Sequence, residues 1–382
     1  MKQTILIAIS ILPLSCGAQP QARGDSVYAS VNTIQADATP TDTLRLLFVG
    51  DLMQHQAQID AAHTPSGGYD YSPYFEQVSP CIRWADWAIA NLEVTLGGTP
   101  YRGYPAFSAP DEYLTAILGA GFNVLLTANN HCLDRGTKGL KRTIHQLDSL
   151  DVPHAGTYTD SAQRVMRYPL LLEKKGIRIA LLNYTYGTNG LTVSPPAIVN
   201  YIDTTLIARD IEAARALHPD VLIACMHWGV EYQSLPNAEQ RRLADWLLRK
   251  GVDHIIGAHP HVVQPIEVRT DSLTHQRHLV AYSLGNYISN MSARRTDGGL
   301  TLRMELVKDS TSTRLIHCDY SLVWTARPAQ SRRKNFQLLP ASFPQDSLPP
   351  AARNSLKIFT QDTRALLHEH NRGISEYLPT EK

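Results

Sequence analysis

The stretch LLTANNHCLDRG brings polar side chains to the end of an apolar run. Asn129, Asn130 and His131 follow residues typical of a buried strand, and Asp134 comes three residues later. Carboxamides and imidazoles bind metals or substrates, and an imidazole beside a carboxylate can transfer a proton near neutral pH. Asn and Asp also begin turns through hydrogen bonds to the backbone, so this stretch alone does not decide the chemistry.

Similar polar groups follow other apolar runs of the chain. They are Asp51 after LRLLFVG, Asn91 and Glu93 in WAIANLE, His227 after DVLIACM, and His259 and His261 in VDHIIGAHPH. Carboxylates, imidazoles and carboxamides together are ligands of divalent first-row metals such as Mn²⁺, Fe²⁺ and Zn²⁺. We therefore expect these strand-end groups to converge on a single site that binds a divalent metal.

His259 and His261 are separated by a single residue. Alternate side chains of an extended chain point the same way, so the two imidazoles are predicted to face adjacent positions of a metal cluster. Two histidines that pack against polar loop partners would give the same spacing. The presence of Asp51 and His227 elsewhere in the chain favours metal or substrate binding.

The elements that position these groups alternate along the chain. Short apolar runs are typical of strands buried on both faces. Helical patterns such as DEYLTAILGAG and AEQRRLADWLLRKG lie between them and close near Gly or Pro. This alternation predicts an α/β fold with covered sheets, in which functional groups lie at the carboxyl ends of the strands.

Composition limits the class of protein. The chain has 382 residues, of which 43% are hydrophobic and 19% charged, so it can form a sizeable core and global disorder is excluded. A formal net charge of +1 gives no reason to expect nucleic acid as a partner.

The N-terminus resembles a targeting segment. Residues 1–16, MKQTILIAISILPLSC, have a short apolar run that suits a secretory signal, and Ser15-Cys16 resembles the end of a bacterial lipobox. We expect an exported lipoprotein of the cell envelope, periplasmic or surface-facing, anchored by a lipid on Cys16. An ordinary cleaved signal without lipid is the alternative. Residues 17–43 have the composition of a flexible tether.

Two further segments are predicted after the tether. Residues 44–325 carry the alternating strands and helices. Residues 326–382 are predicted to be a C-terminal extension, with a polar, Pro-rich surface excursion and then a helix that packs back on the domain.

The ordered blocks VGDLM, ANLE, TANNH, MHWG, GAHPHVVQPIE and YSLGNYI resemble the CapA family of poly-γ-glutamate capsule synthesis proteins. The fold of that family resembles the calcineurin-like metallophosphoesterases. The resemblance covers about residues 44–320. It implies a two-sheet sandwich flanked by helices, in the layer order α/β/β/α, with metals at one edge.

The resemblance matches the metal-binding motifs of the metallophosphoesterases to individual residues of this chain. Their metal-binding positions correspond to Asp51, Asn130, His227, His259 and His261. Where the first block, Asp-x-His, has its imidazole, this chain has Met53, and the nearest histidine is His55. The bridging Asp of the second block has no match in kind, and Glu93 is the nearest candidate. The resemblance therefore implies either one or two bound ions.

The resemblance also implies roles for the neighbouring residues. His131 would protonate the leaving group, and Asp134 would either orient that imidazole or only begin a turn. Asn91, Asn129, Arg135 and Asn286 are candidates for substrate binding, with Ser283 beside them. Arg135 could equally be a solvated surface residue, and Ser283 and Asn286 could be turn residues.

Two classes of function remain open. The first is a metal-dependent hydrolase acting on a phosphoester or on an amide such as a γ-glutamyl bond. The second is a non-catalytic protein that binds anionic capsule or envelope polymers with the same fold. Either one could work with other capsule-assembly proteins. A transmembrane polymerase subunit is disfavoured because the sequence has no second apolar span.

Overall fold

The computed structural model describes residues 43–310 and 312–378. The predicted signal peptide, the lipid anchor on Cys16 and nearly all of the predicted tether lie outside these residues. The described strands are β1 (Thr43–Leu52), β2 (Trp87–Leu92), β3 (Val124–Leu126), β4 (His154–Ala155), β5 (Thr157–Tyr158), β6 (Leu170–Lys174), β7 (Ile177–Thr185), β8 (Ile198–Val199), β9 (Val221–His227), β10 (His254–Ala258), β11 (Ile266–Thr270), β12 (Arg277–Ala281), β13 (Asn286–Ile288), β14 (Gly298–Lys308), β15 (Thr313–Ala326), β16 (Gln337–Pro340) and β17 (Ser375–Glu376).

The helices of the described part lie mostly between these strands. They are α1 (Gln56–Ala62), α2 (Ser79–Ile82), α3 (Asp111–Ala120), α4 (Gly136–Ser149), α5 (Ser161–Arg167), α6 (Thr204–Ala216), α7 (Ala238–Arg249), α8 (Pro328–Ser331) and α9 (Pro350–His370), with 3₁₀ turns at Ser72–Tyr74 and Gln345–Ser347. Asp203 and Asn237 cap α6 and α7 by accepting hydrogen bonds from backbone N–H groups in the first turn. α3 ends at Gly121, whose φ of 118° suits glycine.

Two sheets form the centre of the molecule. The larger has the order β16-β15-β14-β1-β2-β3-β4, with β13 beside β1 and β17 beside β15. The smaller has the order β11-β12-β10-β9-β7-β6. The neighbours β1, β2, β3 and β4 run parallel, as do β7, β9, β10 and β12. Their carboxyl ends therefore lie together at one edge of each sheet.

The core is divided by the sheets into layers. Leu46 and Phe48 of β1 belong to the cluster that also holds Ile179 of β7 and Ile223 of β9, so this cluster fills the space between the two sheets. The opposite face of β1 packs, through residues such as Leu47, on a second cluster that contains apolar side chains of α3. A third cluster lies between the smaller sheet and helices α6 and α7. The predicted α/β class and the layer order α/β/β/α are confirmed.

The residues after 325 return to the larger sheet. The predicted surface excursion is wrong at Gln337–Pro340, because this segment pairs with β15 and buries Leu338 and Leu339. Its apolar side chains make burial more favourable than exposure. α9 places Phe359 in the core between the sheets. Among the described residues, no helix is long and apolar enough to cross a membrane.

A buried histidine in β10 predicts how stability depends on pH. His254 accepts a hydrogen bond from Leu279 N at 3.1 Å, and burial lowers the pKa of its imidazole from 6.5 to about 3. Below pH 6.5 the unfolded chain protonates this residue while the folded protein does not. The free energy of unfolding should therefore fall by about 1.4 kcal/mol per pH unit from this residue, down to about pH 3.

The variant His254→Asn isolates this contribution, because asparagine can still accept the bond from Leu279 N but does not titrate. We expect urea unfolding at pH 7, 6, 5 and 4 to show a shallower pH dependence for the variant. Identical slopes for both proteins would contradict the prediction.

Candidate metal centre

Strand ends from both sheets meet at one edge of the sandwich. Asp51, near the end of β1, is the Cα partner of Asn91 on β2 and of Asn286 on β13. His227 is the last residue of β9 and pairs with Ala258 of β10. Gly50 permits the close approach of β1 to the chain before β13, because a Cβ there would lie 1.8 Å from the carbonyl oxygen of the neighbouring Gly285.

Asn91 joins the two sheets at this edge. Its Nδ2 donates to Asp51 Oδ1 at 2.8 Å and lies 3.2 Å from His227 Nδ1. His227 Nε2 lies 2.9 Å from Asn130 Oδ1. Burial lowers the pKa of His227 well below its ordinary value, and the neighbouring imidazoles lower it further. The ring is therefore neutral, which is the form that binds metals.

Glu93 follows β2 directly and is completely buried. Within residues 43–310 and 312–378, neither of its carboxylate oxygens has a hydrogen-bond partner. Oε1 lies 3.6 Å from His227 Nε2 and 3.8 Å from His261 Nε2. Burial raises the pKa of Glu93 well above its ordinary value, and the nearby Asp51 carboxylate raises it further. A buried carboxylate without donors is costly, and a divalent cation would supply the missing positive charge.

Asp51 Oδ2 is a further buried carboxylate oxygen that has no hydrogen-bond donor among the described residues. His261 Nδ1 lies 3.2 Å from Asp51 Oδ2, but its hydrogen bond is formed with Asn286 Oδ1 at 3.0 Å, which leaves Oδ2 without a partner among the described residues. Burial opposes the charged form of Asp51, but the contacts with His261 and Asn91 outweigh it, and the pKa is lowered. Burial likewise opposes protonation of His261, but the Asp51 carboxylate outweighs it and raises the pKa of the imidazole.

His259 and His261 do not lie on extended chain, so the predicted alternation is wrong. β10 ends at Ala258, and the two histidines have φ angles of 99° and 58°, in the left-handed region. The chain turns here toward Val263, which forms a bridge with Leu284. Such backbone costs about 1–3 kcal/mol per residue and is common at functional sites. The imidazoles still converge, with ring centroids 5.9 Å apart.

Three sets of side chains bring their ligand atoms within 4.8 Å of one another. They are Glu93 with His227 and His259, Asp51 with Glu93 and His261, and Glu231 with His259 and His261. Burial lowers the pKa of His259 to about 3, and its Nδ1 has no hydrogen-bond partner in the described part of the chain. Orphaned carboxylate oxygens beside neutral imidazoles fit divalent first-row metals. Because Glu93 belongs to two sets, two neighbouring ions fit as well as one.

Glu231 was missed by the sequence reasoning. It lies in the loop after β9, four residues beyond His227, where no periodic pattern marks it. The one feature of the sequence that could have indicated Glu231 is its position close to the predicted ligand His227.

His131 and Asp134 form a pair at the edge of this centre. His131 Nδ1 lies 2.8 Å from Asp134 Oδ2, and both side chains are buried. The same carboxylate oxygen accepts a hydrogen bond from Phe107 N at 2.8 Å, and the Phe107 ring packs 4.6 Å from the His131 ring. His131 Nε2 forms no hydrogen bond within the described residues. The imidazole is held at one nitrogen and available at the other, as a proton donor requires.

The carboxamides predicted to bind substrate are engaged inside the protein. Asn129 Nδ2 donates to Leu92 O at 2.8 Å, and Asn129 Oδ1 accepts from His131 N at 3.1 Å. Asn286 Nδ2 donates to Thr296 O at 2.8 Å. These contacts, with those of Asn91, position the metal-centre loops, and substrate contact by the three residues stays a prediction.

Ser283 and Arg135 lie outside the group of ligand atoms. Ser283 Oγ donates to Val262 O at 2.8 Å. Arg135 begins α4, and its aliphatic stem packs on Gly97 and Gly139. The carbonyl of Arg135 accepts from Gly139 N at 3.1 Å, whereas its guanidinium forms no hydrogen bond or ion pair with another described residue. Its role in substrate binding stays a prediction.

Three partly exposed tyrosine rings lie around the centre. Tyr104, 71% exposed, lies 6.5 Å from the His131 ring. Tyr186 lies 4.4 Å from His259, and Tyr232 lies 6.3 Å from His261. These rings form the accessible boundary of an otherwise buried polar cluster.

Residues 45–291 match the family described as "Bacterial capsule synthesis protein PGA_cap". The chain belongs to the PGA_cap family. The matched region contains every residue of the candidate metal centre, from Asp51 to His261.

Individual PGA_cap relatives agree with this assignment. The chain is 30% identical over 281 residues to the PGA biosynthesis protein CapA of Bacillus subtilis (strain 168), covering 71% of this chain and 70% of that protein. It is 28% identical over 290 residues to the capsule biosynthesis protein CapA of Bacillus anthracis, covering 71% of this chain and 66% of that protein. Among solved structures, the calcineurin-like phosphoesterase YfkN from Bacillus subtilis is similar with a TM-score of 0.44 and 14% identity, over 85% of this chain and 98% of that one.

Proposed function

We propose that this PGA_cap protein is a metal-dependent hydrolase that takes part in the synthesis or processing of a capsule polymer. The proposed bond is a phosphoester or a γ-glutamyl amide in an anionic polymer or its precursor. The observation that carries the proposal is a pair of buried acids: Asp51 Oδ2 and both oxygens of Glu93 have no hydrogen-bond partner among the described residues, and Glu93 lies beside the neutral imidazoles of His227 and His259. Family membership supports the link to capsule synthesis.

The ligand set would hold one or two divalent ions, with Mn²⁺, Fe²⁺ or Zn²⁺ the best matched. It consists of Asp51, Glu93, Asn130, His227, His259 and His261. When bound, such ions polarise the scissile group and lower the pKa of water. Asn91 keeps Asp51 and His227 in register through its two contacts, so the ligands are arranged before any ion arrives.

His131 would deliver a proton to the leaving group. Its Nδ1 faces Asp134 at 2.8 Å, so Nε2 is the nitrogen that would carry and donate the proton. Asp134 is a positioning residue, because it fixes the ring orientation and is itself fixed by Phe107 N. The buried Phe107 ring packs against the imidazole in a T-shaped arrangement.

The proposed location is the bacterial envelope, with the domain held at a membrane through Cys16. The apolar run followed by Ser15-Cys16 in the sequence supports this anchor. Substrate and partners would then be anionic envelope polymers and other capsule-assembly proteins. Radiolabelled lipid incorporation that is lost in Cys16→Ala would support the anchor.

The hydrolase is tested with protein purified without chelator and loaded with Mn²⁺ or Zn²⁺. We expect turnover on either a phosphoester panel, such as p-nitrophenyl phosphate and its diester, or γ-glutamyl p-nitroanilide and poly-γ-glutamate. EDTA should abolish this turnover and added metal should restore it. A metal-loaded sample that binds poly-γ-glutamate but cleaves none of these compounds would contradict the hydrolase and favour a polymer-binding role.

A further inference from the structure

One side of the metal centre is short of a ligand. The set with Glu93, His227 and His259 also has Asn130, whose Oδ1 lies 2.9 Å from His227 Nε2. The other set has only Asp51 and His261 beside the shared Glu93. Divalent metals in proteins take four or more ligands, and water fills only what the chain leaves open.

The residues next to Asp51 do not supply the missing ligand. Met53 is buried in the apolar cluster on the outer face of the larger sheet. His55 stands at the start of α1, where its Nδ1 accepts from Asn290 N at 3.3 Å and its ring packs 5.3 Å from Phe107. Met53 is held in that apolar cluster, and His55 belongs to none of the three sets of ligand atoms.

Glu231 is connected to this set through His261, which belongs both to the set with Asp51 and Glu93 and to the set with Glu231 and His259. A carboxylate oxygen of Glu231 is within 4.8 Å of ligand nitrogens of both His259 and His261. The residue is partly exposed, and among the described residues it forms no ion pair with Lys or Arg. It therefore differs from the surface acids of this chain that neutralise a nearby cation, such as Asp362 with Arg294.

The backbone holds Glu231 beside the two histidines. The next residue, Tyr232, has a φ of 67° and donates its N–H to Pro260 O at 2.8 Å, directly between His259 and His261. Gln264 Nε2 donates to Gln233 O at 2.7 Å and fixes the far side of the same loop. The loop after β9 and the loop after β10 are thus tied together at the metal centre.

We propose that Glu231 is a metal ligand, which completes the ion position formed by Asp51, Glu93 and His261. Asp51 Oδ2, both Glu93 oxygens and His259 Nδ1 have no hydrogen-bond partner among the described residues, which is the independent sign that a cation belongs at this place. The inference rests on the metal centre of the proposed function but not on hydrolysis.

Mn²⁺ binding to the full chain tests the proposal without any assay of activity. Isothermal titration gives stoichiometry and affinity, elemental analysis after dialysis gives bound metal, and electron paramagnetic resonance reports whether two Mn²⁺ ions are spin-coupled. Glu231→Gln removes the charge at nearly constant size. Glu239→Gln, on the exposed first turn of α7, is the matched control. Glu231→His replaces the oxygen by a nitrogen ligand.

For Glu231→Gln we expect one of two Mn²⁺ ions to bind at least about tenfold more weakly and the coupled signal to be lost. Glu239→Gln should match the unmodified protein, and Glu231→His should keep part of the second ion. Unchanged stoichiometry and affinity in Glu231→Gln would overturn the ligand role and leave the hydrolase standing. Loss of the second ion in a protein that hydrolyses nothing would support Glu231 while contradicting the proposed function. An unmodified protein that binds no Mn²⁺ would overturn both.

Discussion

Replacement of His131 by alanine is expected to lower kcat about 10²- to 10⁴-fold on whichever substrate of the panel is cleaved, with little change in KM. The leaving group would then depart without a proton from the protein. The metal content should stay the same, because none of the sets of ligand atoms contains His131. Steady-state kinetics together with elemental analysis measure both quantities on the same sample.

The geometry around His131 gives the reason for so large an effect. Three contacts fix the residue: Asn129 Oδ1 accepts its N–H, Asp134 Oδ2 faces its Nδ1, and the Phe107 ring packs against its ring. A side chain held in this way has lost its rotational freedom on folding, so its alignment with the leaving group costs little during the reaction. Water that enters the space left by alanine is not held in one orientation toward the leaving group.

Two variants separate proton transfer from a general loss of structure. His145→Ala removes an exposed imidazole from α4 and should leave kcat unchanged. Asp134→Asn should give an intermediate loss in kcat, because the ring keeps its place against Phe107 but loses the carboxylate that orients it. Full activity in His131→Ala with normal metal content would rule out His131 as the proton donor.

The sequence was sufficient to predict which side chains converge, because the reason is topological. Asp51, Asn91, His227 and His259 each follow a short apolar run, and parallel neighbours place such positions at a common edge. The structure brings residues from both sheets into contact there, as with Asn91 and His227 at 3.2 Å. The alternation of apolar strands with helical segments predicts that these polar residues meet at one edge of the sheets, and this prediction does not require side-chain geometry.

Features that depend on tertiary contacts could not be predicted from the pattern. The left-handed backbone at His259 and His261 is imposed by the return of the chain toward Val263, and non-glycine residues give no local sign of it. Glu231 reaches the site because Tyr232 N bonds to Pro260 O, a contact between two loops. In the same way, Gln337–Pro340 becomes a strand because β15 presents a free edge to it.

The sequence also could not show which carboxamides face solvent and which serve the protein. Asn129 and Asn286 have the residue type of a substrate ligand, but both sides of each amide are paired internally. Unpaired groups therefore identify ligand positions better than residue type does, because an unpaired buried polar atom has a free-energy cost that something must offset. By this criterion Asp51 and Glu93 are the strongest candidates for metal ligands.

The variant Glu93→Gln is expected to lose all metal-dependent stabilisation. A ligand that binds only the folded state stabilises it by about 2.7 kcal/mol at a concentration of 100 times its Kd. We therefore expect excess Mn²⁺ to raise the free energy of unfolding of the unmodified protein by about this amount. The same concentration should change that of Glu93→Gln by less than about 0.5 kcal/mol. Urea unfolding with and without Mn²⁺ measures the difference.

We expect Glu93→Gln to lose the Mn²⁺ response because Glu93 lies at the centre of the candidate ligand group. It is the one acid shared by two of the sets of ligand atoms, it is fully buried, and it lies between His227 and His261 at 3.6 and 3.8 Å. Without a cation, burial and repulsion by the Asp51 carboxylate both disfavour the ionised form of Glu93 and raise its pKa, and no donor among the described residues offsets this cost. Glutamine has nearly the same shape and removes that repulsion, and its amide N–H groups can donate to Asp51. The metal-free variant should thus be at least as stable as the metal-free unmodified protein.

Glu93→Gln is expected to keep or raise the stability of the metal-free protein and to remove the stabilisation by Mn²⁺. These two effects have opposite signs, which distinguishes a metal ligand from a residue that only packs. A residue kept for packing would destabilise the protein when replaced, with or without metal. A metal ligand held in an unfavourable environment instead gives a more stable metal-free protein and no response to the ion. The control Glu239→Gln should keep the full Mn²⁺ response. A Glu93→Gln protein that is destabilised without metal and still stabilised by Mn²⁺ would show that the shared carboxylate is not a ligand.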